Sequence, residues 1–180
     1  MANRDALRDL QSRLAARLQT ARAEGVSLSW LAVEAGGVGY LLPLHQSGEI
    51  FPWDSAQKVP YTQPWFLGVA NLRGGLYGVV ELARFVAGLT QPDQRPAVQT
   101  SARPEYYLVA LNAALDVNCV LLVDRLLGLR SVESFAKSDG APTGTPAFFG
   151  NVYAEASGAL WQELDLQLLA RQPHFLSVSA

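Results

Sequence analysis

Between Phe66 and Leu82, glycines stand at 68, 74, 75 and 78 among apolar and β-branched residues. Each would destabilise a helix by about 1 kcal/mol relative to alanine, so the stretch has to be built from strands. Gly74-Gly75 lies between two apolar runs, the pattern of a two-residue hairpin turn at positive φ. A turn there sets Arg73 opposite Leu76, Asn71 opposite Gly78 and Val69 opposite Val80. It also leaves room above Gly78 for a neighbouring backbone. Arg73, the one cation of the stretch, emerges at the tip. An ordinary core hairpin with a solvated arginine satisfies the same pattern.

Other turns punctuate the chain in the same way. Gly36-Gly37 joins a strand near Leu28–Glu34 to one at Val38–Leu42, which Pro43 closes. Leu82–Leu89 reads as a short helix, and residues 90–105, with Pro92, Pro96 and Pro104, as a loop dividing the chain into halves. Tyr106–Leu111 and Val117–Val123 form a second strand pair. Residues 137–146 read as a flexible loop, Phe148–Glu155 as a last strand and Glu163–Ala170 as a closing helix. Phe66, Gly68, Glu81 and Leu82 recur 82 positions on as Phe148, Gly150, Glu163 and Leu164, so one strand–turn–strand–helix unit occurs twice. Short strands with glycine and proline turns suit small closed barrels.

Upstream, Leu7, Leu10, Leu14, Leu18 and Ala21 recur at helical spacing, with Asn3 as N-cap and Gly25 as stop. Residues 1–25 are expected to form an amphipathic helix outside a body spanning 26–180. Its leucine stripe packs on that body or docks a partner.

The chemistry of catalysis is missing. His45 and His174 are far apart, Cys119 sits inside a strand, and Asp54, Glu81, Asp116, Asp124 and Glu133 are scattered singly. No catalytic residue, metal ligand or cofactor motif is expected. With 14 basic and 16 acidic residues the net charge is -2, which gives no field to attract nucleic acid or anionic lipid. A single cysteine allows no internal disulfide, and no apolar run approaches the roughly 18 residues of a membrane span. A cytoplasmic chain without direct membrane insertion is expected.

The run Gly68-Val69-Ala70-Asn71-Leu72-Arg73-Gly74, with its following β-branched strand and Glu81-Leu82, resembles the signature of the CheW family, adaptors of bacterial chemotaxis-type arrays. Val38–Leu44 with Glu49-Ile50 resembles that family's opening hairpin and acidic segment. Leu121–Leu129 resembles its second-half strand, and the likeness covers about residues 28–170. Tyr61-Thr62-Gln63-Pro64-Trp65 and His174-Phe175-Leu176-Ser177-Val178 resemble members from type IV pilus twitching systems. The resemblance implies two five-stranded SH3-like or OB-like barrels, packed side by side. It also implies a non-enzymatic adaptor joining the regulatory domain of a CheA-type histidine kinase to the cytoplasmic tip of a methyl-accepting chemoreceptor. Receptor-binding residues implied on this basis are Glu49, Gly68, Asn71 and Arg73; Glu49 and Arg73 are further expected to pair across a groove rim. Kinase-contact residues are not implied. The alternatives are a coupling protein of flagellar chemotaxis and, more remotely, an OB-like nucleic-acid-binding module. Departures from the family pattern are Glu81 for the usual aspartate, and Ser47-Gly48 where a valine usually precedes Glu49.

Overall fold

The computed structural model describes residues 29–90 and 105–180. The helix expected over 4–24 and most of the loop expected over 90–105 lie outside the described residues. The strands are β1 (Ser29–Ala35), β2 (Val38–Pro43), β3 (Ser47–Pro52), β4 (Phe66–Leu72), β5 (Gly75–Glu81), β6 (Tyr107–Leu111), β7 (Cys119–Val123), β8 (Arg125–Ser131), β9 (Lys137–Asp139), β10 (Phe149–Ala154) and β11 (Leu160–Leu164). Helix α1 (Leu82–Leu89) follows β5, and the short α2 (Leu166–Leu169) and α3 (Pro173–Leu176) follow β11.

The fold is mainly β, in two sheets. One has six strands in the order β8-β1-β2-β11-β10-β9, the other five in the order β3-β6-β7-β5-β4. Neither order closes on itself, so the expected barrels are open, curled sheets. The apolar runs read as continuous because both faces of each central strand are buried. Leu31, Val33, Tyr40, Leu42, Val109, Leu121 and Val123 point into a core shared by the two sheets. Alternate residues point the other way. Trp30, Ala32 and Leu41 fill the inside of the six-stranded sheet with Tyr153 and Trp161. Leu108, Ala110, Val120 and Leu122 fill the five-stranded one with Phe51 and Val79. Leu82, Phe85 and Val86 of α1, at i, i+3 and i+4, cover the shared core together with Leu166, Leu169 and Phe175.

The repeat at offset 82 is structural. β5 lies parallel to β7 with Val80 facing Leu121, and β11 lies parallel to β2 with Gln162 facing Tyr40. β7 pairs back with β6, and β2 with β1. The outer places are exchanged: β3 leaves the first hairpin to pair with β6, and β8 leaves the second to pair with β1. Each sheet therefore contains strands from both halves, and residues 90–105 do not separate two independent units. The crossing at β7–β8 is fixed by Asp124. Its N–H donates to the Glu34 carbonyl at 2.8 Å, and its Oδ2 accepts from the Gly36 N–H at 2.7 Å.

Three local expectations need correction. The central turn is Arg73-Gly74, one residue earlier than expected, with Leu72 opposite Gly75, Asn71 opposite Leu76 and Val69 opposite Gly78. Both turn residues have positive φ, 49° and 84°, and Asn71 Oδ1 accepts the Gly74 N–H at 3.0 Å. That side-chain cap selects the turn, because asparagine stabilises it locally. Residues 137–139 form an edge strand on β10 rather than loop. Residues 160–164 are strand β11, so the closing helix starts only at Leu166, capped by Asp165.

Candidate functional site

Glu49 and Arg73 reach the same place from opposite edges of the five-stranded sheet. Glu49 lies on β3, one edge; Arg73 lies in the turn that ends β4, the other. The arginine Nη1 forms an ion pair with Glu49 Oε1, with the two side chains 76% and 43% exposed. The guanidinium also sits 5.8 Å from the centre of the Phe51 ring. Residues 49 and 51 share a face of β3 by the two-residue period, so one arginine spans an acid and an aromatic. The contact draws the edges of the curled sheet together across the rim, above a small apolar interior that includes Phe51, Ala70 and Leu108.

Asn71 stands at the same tip, where its side chain holds the turn that presents Arg73. Gly68 works lower down. With φ at +130°, it lies where the connecting segment passes under β4. A Cβ at this position would fall 2.1 Å from the Gln57 carbonyl oxygen. Beside it Gln57 and Val69 exchange two hydrogen bonds, of 2.8 and 2.9 Å. The close backbone approach expected at Gly78 therefore occurs at Gly68. At Gly78 the space is filled by the Phe66 ring.

Two shallow clefts flank the pair. One, of about 270 Å3, has Glu49, Tyr77 and Asn118 on its walls. The other, of about 340 Å3, is lined by Gln57, Val69, Asn71 and Leu72 among others. Among the described residues no group of three or more His, Cys, Asp or Glu could hold a metal ion. His45 and His174 are not brought together. The His45 carbonyl accepts from Asn112 Nδ2, whereas the His174 ring packs between Trp65 and Phe85. Cys119 is buried, and that burial pushes its thiol up to about 12, which suppresses nucleophilic thiolate at neutral pH.

The two segments 61–65 and 174–178 form one corner. Gln63 N–H donates to the Val178 carbonyl at 2.8 Å, and the Trp65 ring stacks on Phe175 with 5° between planes. Trp65 is thus a core residue, while Trp53 packs partly buried against the inside of the five-stranded sheet.

Phe51 and the Gln57 strap escaped the sequence reading. The signal for Phe51 was its two-residue offset from Glu49; nothing local pointed to Gln57. A further buried acid, Glu34, faces Arg125 of β8, and its Oε2 has no hydrogen-bond partner among the described residues. Burial raises its carboxyl above the ordinary 4.5, Arg125 opposes that shift and Asp124 adds to it. An acid whose folded pKa is raised favours the fold below its free pKa and loses that advantage as pH rises through the folded value. Unfolding midpoints in urea should therefore fall between mildly acidic and neutral pH. Glu34→Gln should flatten that fall and raise the midpoint at neutral pH. An unchanged pH profile in the variant would exclude Glu34 as its source.

Known proteins share this architecture. A family model described as the CheW-like domain matches residues 29–174. Protein PilI of Pseudomonas aeruginosa is 27% identical over 127 residues, covering 69% of this chain. The match spans 66% of that protein, just under two thirds of its length. The crystal structure of the scaffolding protein TtCheW from Thermoanaerobacter tengcongensis superposes with a TM-score of 0.57 at 15% identity. That superposition covers 77% of this chain and 89% of the other, a likeness of fold.

Proposed function

The chain belongs to the CheW-like domain family, and from that premise we propose that it is a non-enzymatic adaptor coupling a methyl-accepting chemoreceptor to a CheA-type histidine kinase. The similarity to a protein named PilI, and the resemblance of residues 61–65 and 174–178 to members from type IV pilus twitching systems, favour that setting over flagellar chemotaxis. The observation that carries the reading is the exposed Glu49–Arg73 pair over Phe51. A polar clasp on an apolar rim, flanked by open clefts, suits a protein partner better than a small substrate. Glu49, Gly68, Asn71 and Arg73 form the receptor face in this reading: Glu49 and Arg73 touch the receptor, and Asn71 and Gly68 hold them in place. The kinase would meet another surface through its regulatory domain.

A nucleic-acid-binding role has less support. Arg73, Arg84, Arg130 and Lys137 each lie against a carboxylate, which neutralises them as phosphate contacts. Among the described residues no helix is long and apolar enough to cross a membrane, so contact with a membrane-bound array would run through the receptor.

Affinity purification of the tagged chain from its source cell is expected to bring down a CheA-type kinase and a chemoreceptor. The purified chain alone should release no phosphate from ATP, and should change phosphorylation only when the kinase is added. ATP turnover by the highly purified chain, or recovery without any such kinase, would overturn the reading. Recovery of a flagellar kinase instead would move the setting and leave the adaptor role.

A further inference from the structure

The first residues of β1 are flanked by exposed apolar side chains. Leu31 is buried there, yet its partner on β8, Leu129, is 62% exposed. On the other flank Leu44, 42% exposed, donates its N–H to the Ser29 carbonyl at 2.9 Å. Val132 is 45% exposed and follows Ser131, the residue opposite Ser29. Leu44 and Leu129, on opposite flanks of β1, and Val132, in the turn after β8, thus lie near the point at which the described chain begins, with 28 residues preceding it.

We propose that residues 4–24 of the same chain dock on this patch through the stripe Leu7, Leu10, Leu14 and Leu18. The first argument is reach. Gly25 to Leu28 can span about 13 Å when extended. Neighbouring strands lie about 4.8 Å apart, so that linker delivers a segment ending near Glu24 to either flank of β1. The second is chemistry. A single-chain helix gains most of its stability from packing its apolar face, and this stripe is almost pure leucine. Leu44, Leu129 and Val132 offer matching apolar side chains. The third is concentration. A tether this short holds the segment near millimolar effective concentration, so the same chain outcompetes a second copy in dilute solution. The proposal does not depend on the adaptor reading, since it concerns the isolated chain.

The test uses the full chain carrying Leu129→Cys, with a maleimide as probe. Cys119 stays silent because its buried thiol is held protonated, with a pKa of about 12. Adding Leu10→Asp and Leu14→Asp should speed labelling at position 129 about tenfold, because the docked leucines no longer shield it. The exposed position of Leu129 leaves the fold intact, which thermal melting checks. In a second measurement, oxidation of dilute protein should cross-link the thiol introduced at position 129, within one chain, to Leu14→Cys or Leu18→Cys. Ala16→Cys, on the opposite helical face, should link far more slowly. Equal labelling with and without the aspartates would overturn the proposal. So would face-independent cross-linking, or links formed only between two chains.

Discussion

Gly68→Ala is expected to destabilise the protein by about 3 kcal/mol or more, a large share of the roughly 5–15 kcal/mol that holds a domain folded. Two effects add. The backbone at φ +130° is strained for any residue with a Cβ, at about 1–3 kcal/mol. The new methyl also needs the space of the Gln57 carbonyl, so the segment beneath β4 must move. The exchanged bonds between Gln57 and Val69 then weaken, at about 0.5–1.5 kcal/mol each. Gly74→Ala provides the contrast: its φ is positive as well, but nothing lies within 4 Å of the added Cβ. It should show strain alone and a smaller fall in the urea midpoint. Hydrogen exchange at the Val69 amide should accelerate in the Gly68 variant and not in the Gly74 variant. Equal destabilisation by the two substitutions would mean that the strap under β4 contributes nothing. On the adaptor reading, any loss of receptor binding in Gly68→Ala follows from this displacement.

The hairpins were legible where glycine or asparagine chemistry is local, and illegible where pairing is decided at a distance. Gly36-Gly37 marks the β1–β2 turn correctly, with both residues at positive φ. At the central hairpin the same rule favoured Gly74-Gly75, whereas the Asn71 cap and an arginine that accepts φ 49° move the turn back by one residue. Residues 160–164 escaped as a strand because Leu164 and Leu168, four apart, and Leu166 and Leu169, three apart, carry a helical spacing across the junction. The echo at offset 82 held part of the missing information: Glu81 ends a strand with a helix directly after it, and Glu163-Leu164 likewise closes β11, with the helix starting two residues on at Leu166. What no local pattern could reveal is the exchange of β3 and β8 between sheets, since both readings bury the same residues. The candidate site divides the same way. Glu49, Asn71 and Arg73 follow from motif resemblance, but the Phe51 ring beneath the arginine depends on the sheet curling its two edges together.

The same repeat supplies the comparison that isolates Arg73. Offset by 82, Arg73 corresponds to Glu155, which pairs at 3.3 Å with Arg130 of β8 beside the Trp161 ring. Each sheet thus has a clasp between an edge strand and a hairpin tip, with the charges exchanged. The Arg130–Glu155 side chains are only 29% and 24% exposed, and Arg130 Nη1 also donates to the Leu127 and Leu129 carbonyls. Arg130→Glu should therefore lower stability. Arg73→Glu should hardly do so, because an exposed pair contributes only about 0–1 kcal/mol to folding. Binding separates them in the opposite sense. On the receptor-face reading, an arginine anchored at the interface can contribute about 2 kcal/mol or more, so Arg73→Glu should weaken receptor coupling by roughly thirtyfold or beyond. Kinase binding should stay near wild type. Because Glu49 is the ion-pair partner, Glu49→Arg added to Arg73→Glu rebuilds the clasp with reversed charge and should recover part of the coupling. Pull-down of receptor and kinase by each variant, alongside urea unfolding, reads all three quantities. Two independent solvated charges would give a double variant no better than the worse single one. Equal loss of kinase and receptor binding, or a large fall in stability for Arg73→Glu, would remove Arg73 from the receptor face.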